Sequence, residues 1–304
     1  MSRRRAVSLV HSFTVGRLRC HTLEGGLQRL DGGAMFGVVP KPLWERMIPP
    51  DERNRIPLAM RCLLVEHPDG LILIDTALGN KENAKFQQIY GIENAGRVGP
   101  TQLEDALDGA GFAPGDVRWV INTHLHFDHA GGNTLIDPER PDEPPLPAFP
   151  NATYVVQGRE LEFARHTNER TRASYFPHNF EPVAAAGRWR LLDGDGPILP
   201  GVTARLTPGH VPWHQAVLVQ SEGETAAFVA DLIPTASHLG LPWIMGYDVE
   251  PLRTLESKRA LLRDAADGGW LLVFEHDATT RVGRAAWSGS NAVLTDPVTV
   301  DAPD

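Results

Sequence analysis

Four apolar, strand-like runs in this chain each end in ionisable side chains, and this pattern constrains the fold more than any other feature. Asp116-Val-Arg-Trp-Val-Ile121 leads straight into Thr123-His124-Leu125-His126-Phe127-Asp128-His129-Ala130-Gly131-Gly132. Leu206-Thr-Pro-Gly-His210, Ala227-Phe-Val-Ala-Asp231 and Leu272-Val-Phe-Glu-His276 repeat the arrangement. An ionisable group at the end of a buried strand is costly unless it is paired, hydrogen-bonded or on a metal. Four such endings predict strand termini that contribute to one polar site.

The residue types at these ends are those of a metal site. Zinc-type cations favour imidazole nitrogen and carboxylate oxygen. The chain has 12 His in 304 residues, so three of them beside one Asp over positions 124–129 is not a chance cluster. In an extended segment His124 and His126 point the same way, at period two. If the chain then turns into a helix, Asp128 and His129 present to a neighbouring point, and two adjacent metal positions follow. His210, Asp231 and His276 supply further ligands, with Asp231 able to bridge. Cysteine takes no part: Cys20 and Cys62 are far apart and read as small buried hydrophobes.

Around this cluster the text is that of a globular protein, 42% hydrophobic and 22% charged. A formal net charge of −9 argues against nucleic acid as a partner. No apolar run approaches the ~20 residues that span a bilayer, and the basic start has no signal-like apolar stretch. A cytoplasmic protein without a membrane partner is expected. Residues 13–24 read as strand, and 58–66 and 71–75 as a hairpin about His67-Pro-Asp-Gly70. Thr101 and Glu104 form a capping box for a helix over 101–110. Strands are expected at 154–157, 188–192, 202–206, 215–220, 225–230 and 270–274, and helices at 159–166 and 252–266. One domain, 1–304, is expected, with a loop extension at about 25–57 and a Pro-rich surface excursion at 137–150. Strands in two runs, each followed by helices, suggest packed sheets with helices outside.

The order His-x-His-x-Asp-His, Thr-Pro-Gly-His, strand-terminal Asp, strand-terminal His resembles the metallo-β-lactamase-fold hydrolases. It looks most like the branch containing N-acyl-homoserine lactonases and glyoxalase II. His124-Leu-His-Phe-Asp-His-Ala-Gly-Gly-Asn133 is especially similar to the lactonase form, and Ile74-Asp75-Thr76 and Pro114-Gly-Asp-Val117 also match. The resemblance spans roughly 58–277. It implies an α+β fold, the αββα four-layer sandwich. It also implies two divalent metal ions, with zinc favoured by ligand type and Mn2+, Co2+ or Fe2+ compatible. His124, His126 and His210 would hold the first, Asp128, His129 and His276 the second, and Asp231 both. Asp75 would be a structural carboxylate. The implied reaction is hydrolysis of a lactone or carboxylic ester by a metal-bridging hydroxide, with Asp128 and Asp231 as the catalytic carboxylates and Asp128 passing a proton to the leaving group. A homodimer through the N-terminal loops is in keeping with the family.

In the lactonases a Tyr shortly after the bridging Asp helps position the substrate. Here Asp231-Leu-Ile-Pro234 places Pro there, and Tyr247 is the nearest tyrosine downstream. Met35, Phe36, Trp213, His238 and Trp243, with Tyr247, are candidate pocket residues. Apolar walls around a metal site favour a hydrophobic small-molecule ester or lactone. Thioester hydrolysis of the glyoxalase II type, phosphotriester hydrolysis, iron-dependent oxidoreductase chemistry on the same fold and a non-catalytic metal-binding role are the alternatives. The tail 278–304 lacks the basic helical character of glyoxalase II, and the full ligand set argues against a one-iron oxygenase. No Gly-x-Ser-x-Gly supports a serine hydrolase.

Overall fold

The computed structural model describes residues 8–300; the basic N-terminal stretch lies outside them. Two seven-stranded sheets form the body, and in each the spatial order of strands follows the chain. The first comprises Val10–Val15, Leu18–Asp31, Arg55–Glu66, Leu71–Ile74, Val117–Ile121, Thr153–Gln157 and Trp189–Leu192. The second comprises Gly196–Leu199, Val202–Leu206, Gln215–Ser221, Glu224–Phe228, Leu271–Val273, Thr280–Ser288 and Asn291–Thr299.

Strand alternation sends side chains to both faces of each sheet, and three apolar layers result. Between the sheets, Leu63, Ile72, Ile121 and Val155 meet Val202, Val217, Phe228 and Val273. On the outer face of the first sheet, Leu64, Leu73 and Val120 pack against Leu103, Ala106 and Leu107 of the helix Gln102–Gly109. Outside the second, Leu218, Ala227 and Leu272 meet Leu261, Leu262 and Ala265 of the helix Pro251–Asp267. This is the expected αββα sandwich. The capping carboxylate Glu104 accepts from the Thr101 amide at 2.7 Å. Among the described residues no helix is long and apolar enough to cross a membrane.

The expected loop over 25–57 is shorter than foreseen. Residues 25–31 continue the strand Leu18–Asp31 and 55–57 begin the strand Arg55–Glu66, leaving 32–54 with two short helices. Gly25-Gly26 has the look of a chain break, but it is absorbed as a register shift between Glu24 and Leu27. A Cβ at Gly25 would lie 2.7 Å from Ala77 Cβ and 2.8 Å from the Met60 carbonyl oxygen, so close packing demands glycine there. A helix Ala84–Tyr90, whose residues are all at least partly exposed, was not foreseen. Asn83 caps it by accepting from Phe86 N at 3.0 Å.

A buried ion cluster joins the sheets. Arg61 donates to Glu24 Oε1 at 2.8 Å and to the Thr280 carbonyl at 3.2 Å, while Arg281 donates to Glu24 Oε1 at 2.9 Å. Backbone bonds from Ala59 N to His276 O and from Arg61 N to Glu275 O carry the same junction to the rim.

Candidate metal centre

Five strands point their C-terminal ends to one rim. Leu71–Ile74, Val117–Ile121 and Thr153–Gln157 run parallel, as do Glu224–Phe228 and Leu271–Val273. Ligand sites form outside such carboxyl ends because the chain leaves the sheet there and side chains splay into the gap. Sharp turns aim the side chains: Asp75, Ala77 and Ala230 adopt positive φ of 54°, 55° and 42°. Such strain persists only where the surroundings enforce it.

Every foreseen ligand reaches this rim, buried. His124, His126, His210 and Asp231 form one group, and Asp128, His129 and His276 a second; within each, the potential ligand atoms lie within 4.8 Å of one another. Asp231 stands between them. Its Oδ2 is 2.9 Å from His210 Nε2 and 3.9 Å from His124 Nε2, and its Oδ1 is 3.0 Å from His276 Nε2. Asp128 Oδ1 is 3.9 Å from His129 Nε2.

Outer hydrogen bonds fix which ring nitrogens are free. His210 Nδ1 faces Asp248 Oδ1 at 2.9 Å, and His276 Nδ1 faces the Ala59 carbonyl at 2.7 Å. His129 Nδ1 lies 3.0 Å from both Asp75 Oδ2 and Glu275 Oε2. Each partner is an acceptor, so each Nδ1 carries the hydrogen and each Nε2 presents a lone pair. Those lone pairs crowd together: His276 Nε2 is 3.1 Å from His129 Nε2, and His210 Nε2 is 3.0 Å from His126 Nδ1. His124 Nε2 is buried with no hydrogen-bond partner. Lone pairs converging on a carboxylate need positive charge among them, and this donor set fits divalent cations.

The carboxylate that draws positive charge to these rings also sets their affinity for protons. Burial alone would lower His210 and His276, but the Asp231 carboxylate pushes them up to about 10 and about 9. Burial would raise Asp231, yet His210, His129 and His276 hold it well below the carboxylate range. Asp75, the expected structural carboxylate, accepts from Thr123 N at 2.8 Å and Thr123 Oγ1 at 2.6 Å.

Above the metal-ligand types opens a cleft. His126, Asp128, His210, Asp231 and His276 form its polar floor. Leu30, Met35, Leu58, Phe127, Met245 and Val249 supply apolar wall, and Tyr90, Tyr247 and Arg170 also line it. Of the candidate pocket residues, Met35 and Tyr247 line the cleft. Phe36, His238 and Trp243 stand behind the wall instead. Phe36 stacks on His238 at 4.6 Å and meets Trp243 edge-on at 5.6 Å. His238 is fastened to Thr235 Oγ1 and the Met35 carbonyl, at 2.8 and 2.9 Å. Trp213 is not in the cleft lining; the Arg159 guanidinium covers its ring at 4.8 Å.

Several site residues have no local signal. Asp248, Glu275 and Gln28 touch the ligand types from distant segments. Glu160 accepts from Leu125 N at 3.1 Å and Tyr175 Oη at 2.8 Å, anchoring the turn between His124 and His126. Burial pushes Glu160 up to about 7. His214, four residues after His210, packs its ring 5.2 Å from that of His124.

A two-sheet sandwich with such a rim defines a class: an αββα protein built to hold metal between strand ends. Residues 57–276 match the metallo-beta-lactamase superfamily, and the chain belongs to it. The N-acyl homoserine lactonase of Bacillus thuringiensis is 31% identical over 170 residues, 54% of this chain and 60% of that protein. The lactonase AttM of Rhizobium radiobacter is 28% identical over 200 residues, 60% of this chain and 65% of that one. The chain thus matches under two thirds of the length of these curated relatives. A probable metal-dependent hydrolase from Staphylococcus aureus superposes with a TM-score of 0.85 at 27% identity, covering 96% of this chain and all of that one.

Proposed function

We propose that this protein is a dinuclear metal-dependent hydrolase that opens a lactone or a hydrophobic carboxylic ester. The observation that carries it is the set of imidazoles converging on Asp231 beneath an apolar cleft. The lactonase names of the curated relatives favour a lactone. In this reading His124, His126 and His210 would hold one cation, Asp128, His129 and His276 would hold the other, and Asp231 would serve both. Divalent cations, zinc by ligand type, supply Lewis acidity toward a carbonyl and lower the pKa of water toward neutrality when bound.

The remaining work falls to the chain. Leu30, Met35, Leu58 and Met245 take up an acyl chain and exclude water from the floor. Tyr247, a cleft-lining phenol, donates its hydrogen to the substrate carbonyl oxygen. Asp128, at the floor, carries the proton given up by the attacking water to the departing alkoxide. Asp248 and Asp75 hold the imidazoles of His210 and His129 in register.

The test is proton release when zinc-loaded protein meets a long-chain N-acyl-homoserine lactone, beside Asp231→Ala. Turnover in the wild type, and its loss with lowered metal content in a still-folded Asp231→Ala, is expected. A fully active variant with two metals would refute the shared role of Asp231. No turnover by a two-metal wild type would discard the lactone and redirect the search to aryl esters, thioesters and phosphotriesters.

A further inference from the structure

Gln28 lies on the strand Leu18–Asp31, fully buried, on the same face as the cleft-lining Leu30 two residues on. Its Nε2 donates to Asp128 Oδ2 at 2.5 Å. The nearest imidazole nitrogens to that carboxylate are farther off, His276 Nε2 at 3.7 Å and His129 Nε2 at 3.9 Å. The amide therefore pins one carboxylate oxygen from a sheet residue paired in register with Leu58, while Asp128 itself sits on the four-residue helix Phe127–Ala130.

A second observation separates service to the site from service to the fold. Gln28 Oε1 is buried and has no hydrogen-bond partner. An unpaired buried acceptor is destabilising, and an apolar side chain of similar size would avoid it. Leu or Met at this position would remove that unpaired acceptor together with the donor to Asp128, two opposed effects that leave the strand face close to its present stability.

We propose that Gln28 is a positioning residue for Asp128, holding Oδ2 so that Oδ1 faces the cation position shared with His129 and His276. This rests on the dinuclear reading above. The test needs no substrate: stepwise zinc titration of the metal-free full chain against a chromophoric chelator, with thermal unfolding of the same metal-free samples. Wild type, Gln28→Leu and the unbranched Gln28→Met are measured together, so that one poorly folded variant does not decide the result. Both variants are expected to unfold near the wild-type temperature and to bind the first equivalent normally. The second equivalent should weaken by about 10–100-fold, as with other groups that orient metal ligands. Wild-type affinity for both equivalents in the variants overturns the proposal. So does a lowered unfolding temperature with both equivalents weakened alike, the signature of a purely structural role. A wild type that takes up only one equivalent overturns the dinuclear reading itself, and Gln28 with it.

Discussion

Orientation of single side chains is what turns this rim into a site, and Asp248 shows how. It holds His210 Nδ1 at 2.9 Å and is itself fixed by Thr254 Oγ1 at 2.6 Å. Asp248→Ala frees the ring to rotate or change tautomer, and metal affinity or kcat/KM should fall about 10–100-fold. Zinc content after dialysis, with kcat/KM on the lactone, checks it. Lys258 offers a pH signature that does not depend on the ligand types themselves. Burial drives it down to about 7, and its Nζ donates to the Gly240 and Trp243 carbonyls at 2.8 and 2.7 Å. Between that value and about 10.4 the unfolded chain binds the extra proton, so this contribution makes stability rise with pH across the window. The difference in urea midpoint between wild type and Lys258→Met should therefore shift in favour of wild type from pH 7 to pH 10. A gap independent of pH would show that Lys258 keeps its charge when buried.

At the scale of elements, the sheets are joined by charge as well as by apolar packing. Arg61 and Arg281 share Glu24 in the interior, and the strand bearing Arg61 bonds the backbone of Glu275 and His276. Glu24→Ala leaves two buried guanidinium groups without their carboxylate, which should cost about 3–5 kcal/mol. Urea unfolding followed by circular dichroism measures it, and a loss under 1 kcal/mol would mean that water reaches the guanidinium groups. The aromatic cluster behind the cleft acts at this scale too. Phe36, Trp44 and His238 stack as one unit, with Met35 and Met245 in the same apolar cluster facing the cleft. A loop segment is thereby made into a wall.

For the whole molecule, the rim gathers the candidate ligands from the ends of both sheets, so on the proposed reading a bound cation would tie the layers together and be linked to folding. Ligands that bind only the native state add about 2.7 kcal/mol when free at 100 times Kd. Chelation should accordingly lower the melting temperature by several degrees, scaled by about 2–4 °C per kcal/mol for larger domains. The ligands must be deprotonated to bind, so the gap between metal-loaded and chelated protein should narrow as pH falls. Calorimetry with and without chelator at pH 6 and pH 8 tests both statements; equal melting temperatures at both values would exclude cation binding as a stabilising link.

The candidate ligand residues stand out in the sequence because they lie at or just beyond the ends of apolar runs, within windows short enough for strand and turn geometry to order them. His124, His126, Asp128 and His129 fall inside six residues, and His210, Asp231 and His276 each follow a strand end by three or four residues. The sandwich was readable for the same reason, since its layers follow from strand and helix periodicity. What surrounds the ligands was not. Gln28, Asp248 and the Ala59 carbonyl meet the site across 100, 38 and 217 residues of chain. His238 and Trp243 are equally ambiguous in one dimension, where an aromatic lining a cleft looks like one packed behind it. Local periodicity tells which face a residue occupies, but only the closure of two sheets decides what that face meets.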